Sequence, residues 1–449
     1  MYADVELISN NTYKFKLFTY SIPNKFINKI KVGSIVEVNF RNKIYKAIVL
    51  ELKENTSISK LNEIVKLTNI AINQKNLEYL KFLALSNFLN IGIVINNLIN
   101  IENLNKQKIL NTRNVENLHL NQINENIFKF KKNIIFASSL KEISNIYSTL
   151  KNDITISFYQ KTGGKEEIDK FFLIKDYKLV ILLSTNFEKI IINNDTGYFF
   201  YDSNSTAFRL PKLNHLNIIE SAYLKNNIFG GNFYFLNEFQ NLEFDNRKPK
   251  LTNSFNYEIK YFISSSIKDS FQLLFNKFKI LNYYSNEEFS HPSTYNKFTD
   301  ISNKEIEALI LVNPKIARNN ILDSSRLIYL IRLLNYFTLK KLFIFVISNK
   351  EINVNKSLNS SNFQKWIDKE IDTRKKYGPN LLLKIFSIKA TEEIQNNLEG
   401  KLLGPIINNG EYFYELHLKL NKVKYLETID IFSKITDYEV KRVKHLWVK

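Results

Sequence analysis

A chain of 449 residues is long enough for about two to four domains, and an apolar share of 44% can fill their cores. It has no cysteine, so it can hold neither a disulfide nor a thiolate zinc site, and its five scattered histidines give no metal-ligand spacing. The formal charge of +19 draws the chain toward polyanions, nucleic acid or an anionic surface, although an Asn-, Ile- and Lys-rich composition of the AT-rich kind raises lysine everywhere.

Residues 1–54 read as β. Asp4 and Glu6 interrupt the opening apolar run, which argues against a signal peptide and for a cytoplasmic protein. YKFKLFTYSI alternates, with Phe15, Leu17 and Thr19 on one face and Lys14, Lys16 and Phe18 on the other. SIVEVNF and KIYKAIVLEL alternate too, with Gly33 as a turn before the first and Arg41-Asn42 as a short hairpin turn between them. Several short strands in so little chain predict a small barrel. Residues 56–104 then read as helical, with apolar spacing at i, i+3 and i+4. Within them, 82–101 is apolar but broken by Asn, a core helix rather than a membrane span.

The polar stretch at 111–126 reads as a linker. From 133 the pattern becomes α/β: strands at NIIFAS, DITISFY, LVILLS and YFFYDS, with helices at LKEISNIYSTLK and KEEIDKFFLIK. A second set follows, with strands NYEIKYFISS, EALILVNP and KLFIFVIS and helices at 268–279 and 323–337. An amphipathic helix at 361–378 stops at Gly378-Pro379. Strand LLLKIFSIK, helix TEEIQNNLEGKLL, strand YFYELHLKL, a helix at 424–434 and a strand at 440–448 predict a βαβ-like closing unit.

Both ends carry a resemblance. MYADVELI, then Phe18, Tyr20 and Pro23, then VGSIVEVNF and IYKAIVLEL open the chain. Glu370, Arg374, Tyr377, Gly378 and Pro379, then Leu403-Gly404-Pro405 and Tyr412, mark its far end. In order and spacing these resemble the primosomal protein N′ (PriA) family of replication-restart helicases. The resemblance implies a multidomain α/β chain: an N-terminal β-rich, barrel-like 3′ DNA-binding domain (1–104), a linker (105–127), two RecA-like lobes of degenerate superfamily 2 helicase type (128–245 and a shortened 246–360), and an α+β C-terminal domain (361–449).

The family's pocket for a terminal nucleotide uses an aromatic, an acid, a glycine and a lysine. Phe18 matches the aromatic, Thr19 stands at the acidic position, Arg41 at the glycine and Asn62 near the lysine. The resemblance therefore points to Phe18, Thr19, Tyr20, Arg41, Lys43 and Asn62 as DNA-contacting. Phe18 can equally be barrel core, and Arg41 and Lys43 a solvated turn. In the C-terminal domain, Arg374, Lys419, Lys422, Lys424, Arg442 and Lys444 are candidates for contact with DNA or with the acidic tail of single-stranded-DNA-binding protein. A solvated edge is the plainer reading of Lys419, Lys422 and Lys424.

The motor chemistry is not matched. A Gly-rich phosphate loop should precede NIIFASSL, yet residues 124–132 contain no glycine. KTGGKEE at 161–167 has the wrong spacing for one. The acidic motif keeps only Asp202, and Ser184-Thr185-Asn186 replaces Gly-Thr-Arg. The expectation is a non-enzymatic protein that uses neither ATP nor magnesium, and no zinc. It would bind forked or branched and single-stranded DNA, single-stranded-DNA-binding protein and the replicative-helicase loading machinery, with no membrane association. An ATP-dependent helicase with eroded motifs and a protein scaffold that does not bind DNA remain as alternatives.

Overall fold

The computed structural model describes residues 1–10, 15–119, 126–127, 129–150, 156–158, 179–203, 208–214, 216–237, 257–263, 280–284, 308–312, 342–348, 383–394, 402–420 and 424–443, with isolated positions at 274, 277, 368, 372 and 376. It divides into two compact units. One holds Met1–Asn237 with Leu381–Val443, and the other holds Glu238–Asn380 with Lys444–Lys449.

In the first unit, β1 (Tyr2–Leu7), β2 (Phe18–Ser21), β3 (Ser34–Phe40), β4 (Lys43–Lys53) and β5 (Ile64–Ala71) form an antiparallel sheet in the order β2-β1-β4-β3-β5. Alternation puts Ala3, Val5, Leu7, Tyr20, Val36, Val38, Ala47 and Val49 into one core. The two outer strands meet where the Ser21 N–H donates to the Asn62 carbonyl at 3.0 Å and a bridge joins Ser21 to Glu63. The sheet is therefore closed on itself, the barrel that the short alternating runs predict. Gly33 sits at φ 92°, where an added Cβ would lie 2.3 Å from the Ile72 carbonyl oxygen.

Residues 64–71, expected to be helical, are strand β5; their half-exposed alternation carries too little apolar signal to separate from a helix. The helices that follow are α1 (Gln74–Ser86), α2 (Ile91–Leu98) and α3 (Ile101–Lys106). Asn73 caps α1 by accepting the Asn76 N–H at 2.9 Å, and Asn100 caps α3 through the Glu102 and Asn103 N–H groups. The axes of α1 and α2 differ by 102° across a break at which Phe88 adopts φ 53°. No single helix among the described residues is long and apolar enough to cross a membrane.

The polar stretch read as a linker contains strand β6 (Arg113–His119), paired in parallel with β13 (Gly231–Asn237). Between them come β7 (Lys132–Ala137), α4 (Leu140–Leu150), β8 (Ile156–Phe158), β9 (Leu179–Leu183), β10 (Thr196–Tyr201), the short pair β11 (Arg209–Leu210) and β12 (Leu216–Asn217), and α5 (Ile218–Phe229). The sheet runs β6-β13-β10-β7-β9-β8 and is parallel throughout. Its middle strands are buried on both faces, as their continuous apolar runs require. Phe136 stacks on Phe200 at 5.0 Å, and Phe200 on Phe235 at 5.0 Å, across three neighbouring strands.

The closing part is β18 (Leu383–Ala390), β19 (Leu402–Asn408), β20 (Glu411–Lys419), α6 (Tyr425–Ile435) and β21 (Glu439–Val443), an antiparallel sheet in the order β19-β20-β18-β21. It is not βαβ. The helix expected over 391–403 overlaps β19 at Leu402 and Leu403. The second unit contains β14 (Tyr257–Ile263), β15 (Ile280–Tyr284), β16 (Ala308–Val312) and β17 (Leu342–Ser348), a parallel sheet in the order β14-β17-β16-β15. The helices expected at 165–175, 268–279, 323–337 and 361–378, and the KTGGKEE segment, lie outside the described residues apart from isolated positions.

Candidate nucleic-acid interface

The β3–β4 hairpin turns on Arg41 (φ 50°) and Asn42 (φ 61°), two left-handed residues in a row, with Phe40 and Lys43 paired across its base. That geometry matches the right-handed twist of the two strands. It also displays Arg41 and Lys43 to solvent. Beside them the Phe18 and Phe40 rings lie 4.6 Å apart, Phe40 meets Tyr45 at 6.1 Å, and the Arg41 guanidinium stands 5.4 Å over the Phe40 ring. Phe18, Phe40 and Tyr45 are half-buried against the barrel core. Phe18 thus serves the core and still shows part of its ring. Tyr20 is buried, its hydroxyl donates to the Asn39 carbonyl at 3.0 Å, and burial raises its pKa. It holds the strand that carries Phe18.

Thr19 faces the other way, because successive strand residues alternate. Its hydroxyl donates to one Asp4 oxygen at 2.7 Å, and the Lys53 ammonium donates to the other at 2.5 Å. Lys53 also lies 3.3 Å from Glu51, and its hydrogen bond to Asp4 leads the interactions that raise its pKa. A carboxylate is therefore bonded to the side chain at 19, supplied from the adjacent strand. Asn62 is exposed, and its backbone rather than its side chain joins the barrel closure at Ser21. The sequence pattern does not mark Asp4 and Lys53 as the partners of the side chain at 19. The available signal was an acid inside an apolar strand, taken only as an argument against a signal peptide.

In the C-terminal sheet, Arg374, Lys422 and Lys444 lie outside the described residues. Lys419 is exposed at the end of β20, and Lys424, 82% exposed, pairs with Glu427 at 3.1 Å in the first turn of α6. Arg442 is placed differently from these lysines. Only 17% exposed, it holds Glu220 of α5 through both terminal nitrogens, one at 2.7 Å, and reaches Asn87 at 3.4 Å. Lys384, fully buried, bonds the same carboxylate. Burial pushes the Glu220 carboxyl up, but Arg442 and Lys384 outweigh it and hold it below its ordinary value. Arg442 thus neutralises a buried acid.

Ser184-Thr185-Asn186 and Asp202 follow the ends of β9 and β10. Ser184–Lys189 is a 3-10 helix whose Ser184, Asn186 and Glu188 are buried. Glu188 accepts the Tyr79 hydroxyl at 2.7 Å and the Ser221 hydroxyl, and stands 3.7 Å from the buried Lys225 ammonium, which also donates to the Ile190 carbonyl at 3.1 Å. Burial raises the Glu188 pKa against the pull of Lys225 and lowers that of Lys225 against the pull of Glu188. Asp202 sits in a turn after β10 at φ 49°, and the next residue, Ser203, donates to the Asn237 side chain at 2.7 Å. Among the described residues no cluster of three or more His, Cys, Asp or Glu side chains could hold a metal ion.

No curated protein matches the chain. A crystal structure of the PRRSV nsp10 helicase aligns at 9% identity over 71% of this chain and 67% of that one, with a TM-score of 0.21. Residues 8–100, which span β2 to α2, match the family model of the PriA 3′DNA-binding domain (3′BD). The barrel and its first two helices are thus similar to that domain.

Proposed function

We propose that this protein is a DNA-binding factor of replication restart, similar to primosomal protein N′, which recognises forked or branched DNA and recruits partners without ATP-driven unwinding. The observation that carries the reading is the match of residues 8–100 to a 3′DNA-binding domain. The barrel's exposed edge supports it. Half-exposed Phe18 and Phe40 offer faces on which bases can stack, a contact worth about 1–3 kcal/mol per base. Arg41 and Lys43 offer phosphate contacts at the same edge, and these make affinity fall steeply with salt. The glycine-free 124–132 segment and the sealed Glu188 cluster support binding without nucleotide chemistry. Single-stranded-DNA-binding protein and the helicase-loading machinery are the proposed partners, and the cytoplasm the proposed compartment.

Fluorescence anisotropy with a labelled three-way fork and a blunt duplex of equal length tests this at two salt concentrations. The expected result is preference for the fork, lost in the Phe18→Ala, Arg41→Ala double variant. Equal affinity for both shapes, unchanged in the variant, sinks the fork reading. Phosphate release by wild-type protein with ATP, Mg²⁺ and fork DNA is expected at the no-protein background. DNA-stimulated release would restore the eroded-helicase alternative.

A further inference from the structure

We propose that β19 is a self-pairing edge: two copies of this chain join antiparallel along it, about a two-fold axis between Gly404 and Pro405. The inference goes beyond DNA binding and does not depend on it.

β19 is an unusual strand to leave in water. It lies at the edge of the C-terminal sheet, and among the described strands β20 is its one neighbour. Among the described residues Ile407 and Ile406 are the most exposed large apolar side chains, at 64% and 62%, and Leu403 on the same strand is 52% exposed. No residue from Leu402 to Gly410 is charged. An exposed edge offers a row of backbone donors and acceptors, and soluble proteins blunt it with lysine, proline or a bulge. Lysine is missing here, which leaves Pro405 and the bulge between Leu403 and Ile406. The hairpin behind the strand turns on Asn409 (φ 51°) and Gly410 (φ 77°), two left-handed residues that suit a tight β-turn.

The register with β20 sorts the strand's side chains by face. Leu402 stands opposite Leu416 and Ile407 opposite Tyr412, on the face that buries Tyr414, Leu416 and Leu418. Leu403 stands opposite Glu415 and Ile406 opposite Phe413, on the other face. The bulge puts Leu403 and Ile406 on one face although they are three residues apart. The strand is therefore symmetric about Gly404-Pro405. A second β19 turned end for end sets each Leu403 beside the other copy's Ile406, and each Leu402 beside the other copy's Ile407. Every such pair falls on a matching face, as an isologous contact requires. Pro405 has no N–H to give, and it falls at the axis, where the bulge already interrupts the ladder.

Electrostatics favours the same occupant. A chain of +19 repels its own copy wherever lysines face each other. β19 is a gap in that repulsion. The acids beside it on β20 are matched within the sheet: Glu411 meets Lys389 at 2.8 Å, and Glu415 meets the His417 ring at 3.0 Å. The lack of cations also leaves nothing on the strand for a phosphate backbone to contact.

Sedimentation velocity of the full chain without DNA, over a concentration series at low and high salt, tests the pairing. Wild type is expected to pass from monomer to dimer as concentration rises. The dimer is expected to tighten with salt, because salt screens the repulsion between two cationic copies. DNA binding would weaken under the same change. The double variant Leu403→Lys, Ile406→Lys is expected to lose about tenfold or more in dimer affinity while its thermal midpoint stays near wild type, since both side chains are exposed. The chain has no cysteine, so an introduced thiol is unique. A mixture of Leu403→Cys and Ile406→Cys proteins is expected to give mixed disulfide dimers on oxidation in excess of either protein alone, because only the mixed pair is brought within disulfide reach. A monomer at every concentration overturns the proposal and leaves the edge to a strand of another protein. A dimer that persists in the folded double variant overturns it too, as does equal crosslinking of mixed and single proteins.

Discussion

Glu6 is buried, and burial pushes its carboxyl pKa up to about 7 against the hydrogen bonds from Gly92 and Tyr425. An acid whose pKa is higher in the fold than in the unfolded chain binds its proton more tightly when folded. Its contribution is fully present below pH 4.5 and is lost as pH rises through about 7. The span corresponds to about 3 kcal/mol. Glu6→Gln mimics the protonated form, so its thermal midpoint should fall less than that of wild type between pH 5 and pH 8. Parallel curves would refute this. Glu220 has the opposite sign: its lowered pKa gives stability at neutral pH that is lost in acid. Arg442→Met leaves that buried carboxylate with Lys384 alone and should cost about 3 kcal/mol or more in urea denaturation. A cost under about 1 kcal/mol would mean that the pair contributes no more than an exposed salt bridge. The sequence shows Arg442 only as one basic residue near Lys444 and Trp447. Its partner lies 222 residues away, which no local pattern reveals.

Elements with an apolar period were legible, and those without one were not. β7, β9 and β10 are nearly all apolar because both of their faces are covered, and each falls within a residue or two of its expected position. β6, at the end of the same sheet, is built from Arg, Asn, Val, Glu, Leu and His and so carries no apolar run. β19 buries Leu402 and leaves the rest of the strand exposed, so neither a two-residue nor a 3.6-residue period marks it. The Arg41-Asn42 turn was legible from its length between two alternating strands. Its demand for two left-handed residues gives a test. Asn42→Gly should leave stability within about 0.5 kcal/mol, because both residues tolerate that conformation, whereas Asn42→Val should cost about 1–2 kcal/mol. If the turn also sets the DNA-binding edge, Asn42→Val weakens DNA binding without removing a charge, and anisotropy measures it. Equal denaturation midpoints for the two variants would mean that the hairpin does not hold this turn in solution.

At the scale of the whole molecule, one compact unit gathers residues from both ends of the chain, in the barrel, the six-stranded sheet and the C-terminal sheet. Two buried polar seams join them. Glu220 of α5 binds Lys384 of β18 and Arg442 of β21, and Glu6 of β1 binds Tyr425 of α6 across 419 residues of chain. The Tyr425 hydroxyl also accepts the Ile91 N–H at 3.1 Å, so one side-chain oxygen serves the barrel and the start of α2 together. Phe15, Phe88, Phe386 and Phe432 also join in successive ring contacts of up to 5.9 Å, again from both ends of the sequence. Stability of the barrel should therefore depend on a residue far outside it. Tyr425→Phe removes one hydroxyl and leaves the Glu6 carboxylate and the Ile91 N–H each a partner short, at a cost of about 1–3 kcal/mol. Hydrogen exchange should then quicken at the amides of β1 and at Ile91 and Gly92, while Lys424→Ala, beside it but exposed, leaves them unchanged. If the faster exchange stays within α6, the two ends open independently and the barrel owes the C-terminal sheet nothing. If it reaches β1, the order of that strand is set from the far end of the chain.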